Sequence, residues 1–388
     1  TIATVGVGLM GIGHTLGIAD GWVAGAIISG AYFGDKMSPM SDTTNLAPAM
    51  AGATLFGHIK HMVYTTGTSL IVALVAFTVM GFMHASNATV DLSVIEAITN
   101  FIQESSYIGV VTLIPPVFVI VAVACKLPAI PSLIGGVFIG VPLFFLNEQY
   151  VVNALTAAET DPADIKNNIF NILNNGISMG NEAAIPAIAE AAGDKAAEVE
   201  AVLGELSGLL SGSGMQGMYW TISIILSAMC FGGIVDCTGV MGTFAGLLLK
   251  VAKGRGGLVL ATEFMCLFVN ATCCDQYLSL VIPGRMFKEK FEDMKLRPEN
   301  LSRALEDCGT ITSNFFPWNT CGATMRSFLG LPDSKYIPYA ILNWLNPVVS
   351  VTFGYTGITM TKLTDEEYEK ILAQREEEKK QAMAALEA

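Results

Sequence analysis

Charge is what this sequence has least of. Asp, Glu, Lys and Arg together make up 14% of its 388 residues, too few to cover an ordinary soluble domain of that size. Histidine is rarer still: His14, His58, His61 and His84 are the only four, and they are scattered. No C-x-x-C pair and no H-E-x-x-H occurs, which argues against a structural zinc site and a zinc hydrolase. Basic residues number 21 against 34 acidic ones, so there is no patch for nucleic acid. No resident cofactor is called for, and the chain does not read as an enzyme. Eight Cys could suggest a disulfide framework, but Cys125, Cys230, Cys237, Cys266, Cys273 and Cys274 fall inside apolar runs. They read as reduced packing residues.

What the chain has is apolar length. Its mean hydropathy is +0.53 and 18 residues are Met. About 20 apolar residues cross a bilayer as a helix, and such runs occur at 62–84, 107–125, 128–147, 218–249, 257–283 and 337–357. The expected fold is all-α, a multi-pass protein of a prokaryotic cytoplasmic membrane, surrounded by lipid, with a homodimer as the oligomer to test for. The net charge of −13 comes largely from two polar segments outside the spans, 148–216 and 363–388. One dinucleotide-like pattern, Gly6, Gly8 and Gly11 in GVGLMG, lacks the preceding strand that a phosphate-binding turn needs. Close helix approach explains those glycines better.

Basic residues near span ends face the cytoplasm. Lys250, Lys253 and Arg255 form one cluster, and Arg285, Lys288, Lys290, Lys295, Arg297 and Arg303 another, with only the run 257–283 between them. A single crossing would separate the clusters. A re-entrant hairpin keeps them together: GLVLATEFMCLFVNA goes in, TCCDQ turns, and YLSLVIPGRMF returns. The acidic segment 148–216 then falls outside, while Lys60, Lys126 and the charged tail, read as a solvated helix, fall inside.

The first sixty residues repeat that plan. An apolar arm meets a polar turn ending at Asp20, a second arm (WVAGAIISGAYF) returns, and a charged step leads to SDTTN at 41–45. After the later hairpin comes SNFFPWNT at 313–320. Pro39 and Pro48 flank the first stretch and Pro317 lies in the second; proline breaks helices, so each stretch is expected to unwind a membrane helix at mid-depth. The two hairpins enter from opposite sides. That is an inverted repeat with discontinuous helices, the arrangement around which transporters place their sites. The expected segments are 1–55 (first hairpin and broken helix), 56–256 (scaffold helices with the acidic external stretch), 257–330 (second hairpin and broken helix), 331–361 (last span) and 362–388 (charged tail).

GAIISGAYFGDKMSPMSDTTNLAPAMAG, FGGIVDCTG at 231–239, DQYLSLVIPGRMF at 275–287 and SNFFPWNTCGA at 313–323 together resemble the NhaC-type sodium/proton antiporter family of the ion transporter superfamily. The resemblance implies Na⁺ and H⁺ as cargo. One departure is that no scaffold helices precede the first hairpin, whereas three spans precede the second. The expectation is an N-terminally incomplete chain lacking roughly 100 residues, at about 30 for each span with its loop.

A small hard cation takes oxygen ligands. Asp42 supplies the charge, as the one metal (Na⁺) ligand named outright, and Ser41, Thr43, Thr44 and Asn45 supply neutral oxygens. Ser313, Asn314, Asn319 and Thr320 are expected to face them from the other repeat, with Trp318 shaping the cavity. Intramembrane carboxylates are functional candidates by default. Asp35 stands second to Asp42, or simply pairs with Lys36. Asp275 sits at the hairpin turn beside Asn270 and Thr272, which add oxygens or cap half-helices. Asp236 is a proton relay or a cap, Glu263 and Asp307 read as structural, and His14 as packed and neutral. One site that holds either a proton or Na⁺ suffices for exchange under alternating access. The competing reading keeps the fold and changes the cargo to small organic acids such as malate and lactate, with Arg285 or Lys36 neutralising the carboxylate.

Overall fold

The computed structural model describes residues 2–39, 41–85, 99–101, 109–125, 127, 129–145, 170–171, 174–178, 185–191, 196–197, 199–200, 203–204, 211–212, 214–373 and 375–376. These are almost wholly helical. In chain order the α-helices are α1 (Val7–Thr15), α2 (Asp20–Met37), α3 (Asp42–Ala51), α4 (Leu55–Ala85), α5 (Ile114–Ala124), α6 (Ala129–Phe145), α7 (Ile185–Ala191), α8 (Gly214–Cys237), α9 (Val240–Val251), α10 (Gly254–Thr272), α11 (Gln276–Asp293), α12 (Pro298–Leu305), α13 (Thr320–Leu329), α14 (Asp333–Tyr336) and α15 (Ile341–Thr356). The β-structure among the described residues is one two-residue pair, β1 (Ile177–Ser178) with β2 (Ser211–Gly212), and an isolated bridge of Leu296 with Lys362.

The chain forms two compact units. One holds residues 1–2, 21–83 and 224–388; the other holds 3–20 and 84–223. In the latter, α5 lies against α6, where a Cβ on Gly135 would stand 2.8 Å from the Phe118 ring and one on Gly136 2.6 Å from Val119. Small residues are what allow that approach. Phe101, Ile185, Ala189, Val199 and Leu203 form a small core.

The former unit carries the long helix. Residues Leu55–Met83 of α4 are the one described stretch long and apolar enough on its own to cross a membrane. Ile71, Leu74, Val75, Val79 and Phe82 lie exposed along it, an outward apolar face that suits lipid. Other apolar runs break up. Met229–Val235 and the following α9 bend by 62°, and in 337–357 a 3-10 turn at Ile337–Tyr339 precedes the 16 residues of α15. Hydropathy reports how oily a run is, and the breaks come from what hydropathy does not read.

The run 257–283 is a clear case. It folds as α10, a turn at Cys273–Asp275, and α11. Cys274 takes a positive φ of 60°, and the Asp275 carboxylate accepts the Leu278 amide at 2.9 Å, capping α11. Leu258, Val259, Met265 and Cys266 from α10 meet Leu280 and Phe287 from α11 and Leu301 and Leu305 from α12 in one core. On the other side of α10 lies α15, close enough that a Cβ on Gly354 would stand 3.0 Å from Val259.

Beyond α15 the chain folds back on the α11–α12 connection rather than standing off in solvent. The Leu363 amide donates to the Lys295 carbonyl at 2.9 Å, and the Arg297 amide to that of Thr361 at 3.1 Å. Residues 365–373 are helical. Lys295 pairs with Asp365 at 2.7 Å, Arg297 with Glu367 at 2.5 Å, and the nearly buried Arg375 with Glu292 at 2.5 Å and Asp293 at 2.9 Å. The Lys295 hydrogen bond holds the Asp365 carboxyl below the usual range. Glu367 is lowered too, first by the Thr364 amide and then by Arg297. Carboxyls depressed in the docked state stabilise docking at neutral pH, and that contribution is lost as pH falls through the carboxylate range, about 4. Amide hydrogen exchange over 365–373, corrected for intrinsic rates, is expected to be slowed at pH 7 and to lose protection near pH 4. Arg375→Ala should lose it at both, because the exposed pairs alone are weak.

Candidate ion site at two helix breaks

The first break lies just before the stretch expected to unwind. Ser38, Pro39 and Ser41 are not helical, whereas Asp42, Thr43, Thr44 and Asn45 form the first turn of α3. Pro39 cannot donate a helical hydrogen bond, and Ser41 is extended at φ −68°, ψ 135°. An acidic residue in a first turn also suits the positive helix end. The polar side chains stitch the halves together. Thr44 Oγ1 donates to the Lys36 carbonyl at 3.0 Å and lies 3.2 Å from that of Asp35; Asn45 Nδ2 donates to the Pro39 carbonyl at 2.9 Å and the Ser41 carbonyl at 2.6 Å; Ser41 and Thr43 hydroxyls meet at 3.0 Å. Pro48, inside α3, lacks the amide that would bond the Thr44 carbonyl four residues back.

The second break falls where Pro317 places it. After α12 comes a π-turn at Glu306–Thr310 and a 3-10 turn at Ser313–Phe315; Phe316 to Asn319 then leave the helix, and Asn319 Oδ1 caps α13 by accepting the Cys321 amide at 3.0 Å. The break is sewn to the hairpin turn. The Thr320 amide donates to the Cys274 carbonyl at 3.1 Å, Trp318 Nε1 to Ala271 at 2.8 Å, Asn319 Nδ2 to Asn270 at 3.1 Å, and Asn270 Nδ2 to Gly309 at 2.7 Å. A Cβ on Gly322 would collide with the Phe316 carbonyl, so the fold of the break requires that glycine.

The two breaks reach the same hairpin by different residues. Asp42 accepts a hydrogen bond from the Tyr277 hydroxyl on α11 and from the Thr43 amide at 3.0 Å. Tyr32 on α2 meets Ser313 at 3.2 Å. Among the described residues no hydrogen bond joins Ser41, Asp42, Thr43, Thr44 or Asn45 directly to Ser313, Asn314, Asn319 or Thr320. Asn314 uses its carbonyl to accept from Tyr336 at 3.2 Å. Thr272 bonds back to Phe268 at 2.7 Å within its own helix. Trp318 is half exposed. The Asp236 and His14 side chains lie outside the described residues.

Lys36 does not pair with its neighbour Asp35. It turns inward from the last turn of α2 to form an ion pair with Asp307, both fully buried. Asp307 also accepts from Thr65 at 3.0 Å and Asn346 at 2.8 Å, and its second oxygen stands 3.7 Å from Arg303 Nε, also fully buried. Four helices, α2, α4, α12 and α15, therefore converge on one carboxylate. The pairing spans 271 residues, and nothing local announces it. Asp307 is thus the hub of the unit rather than a passive residue, although the same wiring makes it structural as well.

A cavity of about 610 Å³ opens at the far end of α3, lined by Gly52, Arg285, Lys288, Glu292, Ile371 and Arg375 among others. Asp42 and Ala51 are nine residues apart, about 13 Å along the helix, so Arg285 sits with the tail and not with the break.

A serine hydrolase needs a nucleophile motif, and contrary to a reading in which no G-x-S-x-G occurs, the sequence does contain one. Gly176, Ser178 and Gly180 fit G-x-S-x-G, but Ser178 closes a two-residue strand, and Gly180 lies outside the described residues. A nucleophile elbow needs a strand-to-helix turn at the Ser.

The Na⁺/H⁺ antiporter family profile matches residues 30–180 and 192–358. The chain is 34% identical over 364 residues to the Na⁺/H⁺ antiporter NhaC of Alkalihalophilus pseudofirmus, covering 93% of this chain and 71% of that protein. It is 33% identical over 375 residues to the arginine/ornithine antiporter ArcD of Halobacterium salinarum, covering 95% and 69%. It is 30% identical over 357 residues to a malate-2H⁺/Na⁺-lactate antiporter of Bacillus subtilis, covering 92% and 69%. No solved structure matches. The breaks at 38–41 and 316–319 and the hairpin between them all lie inside the matched residues, and the chain belongs to the Na⁺/H⁺ antiporter family as an NhaC-type antiporter.

Proposed function

We propose that this protein exchanges Na⁺ for H⁺ across the cytoplasmic membrane by alternating access, the two cations competing for carboxylate at the helix breaks. The observation that carries this reading is the disposition of charge. Asp42 stands at the first break as an exposed carboxylate that accepts from the Tyr277 hydroxyl and the Thr43 amide. Of the two cations that an organic acid would have needed, Lys36 is committed to Asp307 and Arg285 lines the distant cavity. Ser41, Thr43, Thr44 and Asn45 surround the same carboxylate in sequence; Ser313, Asn314, Asn319 and Thr320 approach from the second break as it opens or closes. Asp35, Asp236 and Asp275 serve as accessory carboxylates, Asp275 capping α11 as it does so.

In this reading the membrane part comprises the first hairpin and broken helix (1–55), scaffold helices (56–256), the second hairpin and broken helix (257–330) and a last span (331–361), followed by the tail. The two hairpin-and-break segments form an inverted repeat, and α10 with α11 is re-entrant. Lys253→Cys and Glu289→Cys, in a background without the native thiols, test that placement. Lys253 is preferred to Gly254, whose φ of +66° disfavours a side chain. Both positions should react with an impermeant maleimide only from the cytoplasmic side. Labelling of one from outside would make 257–283 a crossing.

The relatives that carry amino acids or malate and lactate give a second reading, a Na⁺-coupled exchanger of such solutes. The two separate in proteoliposomes of the full-length protein. Under the antiporter reading Na⁺ collapses an imposed pH gradient, K⁺ does not, and malate, lactate, arginine and ornithine leave the apparent Na⁺ affinity unchanged. A co-bound solute must change Na⁺ affinity by the factor that Na⁺ changes its own, so a tenfold shift, about 1.4 kcal/mol, would sink simple Na⁺/H⁺ exchange.

A further inference from the structure

Asp307 uses both of the buried cations around it, and a second carboxylate is left over. Glu306, the first residue of the π-turn, is 0% exposed, and neither of its oxygens has a hydrogen-bond partner. The Thr310 hydroxyl one turn on is equally buried and faces Glu306 without forming a well-aligned hydrogen bond. Glu263, 3% exposed on α10, has one oxygen in the same condition. Three carboxylates, Glu263, Glu306 and Asp307, therefore share an interior with two cations, Lys36 and Arg303. With His58 and His61, the two buried imidazoles of α4 that also face Asp307, in their neutral forms, neutrality requires one more positive charge.

The charged and titratable groups acting on Glu306 come from every side. Lys36 and Asp35 face it from α2, Asp307 from its own turn and the Cys266 thiol from α10. Lys36 is already bound to Asp307, and α15 contributes the Asn346 amide, which also goes to Asp307. Among the described residues no three His, Cys, Asp or Glu side chains converge here, so the cluster is not built for a multivalent metal, and the candidates for the missing charge are a proton and Na⁺. A single proton on one Glu306 oxygen satisfies the charge, and it turns an orphaned acceptor into a donor beside Thr310.

We propose that Glu306 is a proton-carrying residue of the exchange, separate from Asp42 and wired to the first break through Lys36. The proton binds as an O–H bond on Glu306 and leaves to water; no other bond is made or broken. Lys36 links the two ends of this arrangement, because its carbonyl takes the Thr44 hydroxyl at 3.0 Å while its ammonium holds Asp307 beside Glu306. A shift of the first break on cation binding therefore displaces the positive charge nearest Glu306 and changes its hold on the proton. A π-turn in an otherwise α-helical run is a frequent companion of such sites.

The proposal rests on the Na⁺/H⁺ reading, and its test has an arm that does not. Infrared difference spectra of the full-length protein in liposomes should contain the C=O band of a buried protonated carboxyl, shifted by D₂O and perturbed by Na⁺, and absent in Glu306→Gln. In transport, Glu306→Gln should keep Na⁺/Na⁺ exchange within about twofold of wild type while Na⁺-driven H⁺ movement falls at least tenfold. Glu306→Asp should restore H⁺ movement with a displaced pH profile. An unchanged band in Glu306→Gln, undiminished H⁺ movement, or equal loss of both exchanges in a folded Gln variant overturns the proposal. If Glu306→Gln does not fold, Glu306→Asp decides, and a wild-type pH profile in that variant overturns it. Wild-type protein that moves no H⁺ against Na⁺ would instead remove the reading of cargo, leaving the spectroscopic result to stand or fall alone.

Discussion

Replacing Asp307 with alanine is expected to destabilise the protein by about 3–5 kcal/mol, the cost of removing one partner from a buried ion pair. The size follows from what remains. Lys36 and Arg303, both 0% exposed, would keep their charges without a counter-ion in direct contact, and the Thr65 hydroxyl and Asn346 amide would lose the oxygen they now share at 3.0 and 2.8 Å. Asp307→Asn should be milder, since an amide oxygen still accepts those two bonds. The decisive comparison is the double variant Lys36→Met, Asp307→Leu. Removing both members takes the Lys36 charge away with its partner, so that Arg303 alone stays uncompensated, and apolar replacements of buried pairs are often neutral or better. The double variant is therefore expected to be more stable than Asp307→Ala, seen as a higher unfolding midpoint in detergent. A double variant that loses the sum of its two single losses would mean that Lys36 and Asp307 are not coupled, and that their pairing is not what holds α2 to the second broken helix.

This pair also marks the limit of what can be read from the sequence. The elements legible in advance were those with local chemical causes. Pro317 and the Asn319 cap locate the second break, and TCCDQ locates the hairpin turn through Asp275, whereas the tail, read as a solvated helix, docks on the basic residues after α11. The first break is legible only to within a few residues. Pro39 stops the helix, but whether SDTTN unwinds or begins the next helix depends on Ser41 turning extended, and Ser, Asp and Thr suit either outcome. The ion cluster has no local cause. LSRALEDCGT at 301–310 reads as an ordinary polar-faced helix, and the partners that hold Asp307 inward include Lys36 and Thr65, each more than 200 residues away. Asp35, adjacent to Lys36, looked the better partner by proximity in sequence. Helical geometry sends neighbours to different faces, so the residue next door was the one Lys36 could least easily meet.

Asp42→Asn is expected to reduce Na⁺-driven proton movement to the background of protein-free liposomes while leaving the protein folded. Its carboxylate contributes to folding only modestly. Placed in the first turn of α3, it interacts with the helix end for about 0.3–1 kcal/mol, and an asparagine oxygen still accepts the Thr43 amide. A loss of transport without a matching loss of unfolding midpoint thus reports charge and proton exchange, not architecture. Tyr277→Phe sharpens the test, because it removes the hydroxyl that bonds Asp42 and keeps the carboxylate. Losing a group that orients a ligand typically costs 10–100-fold in cation affinity, so apparent Na⁺ affinity should weaken by about tenfold at an unchanged maximal rate. Asp275→Asn provides the contrast. Asparagine caps helices as well as aspartate does, so this variant deletes a charge at the hairpin turn and keeps the cap, and it should lose far less exchange than Asp42→Asn. If Asp42→Asn exchanged normally while Asp275→Asn failed, the cation would belong to the hairpin turn, and Asp42 would be left as the residue that starts α3 and receives Tyr277.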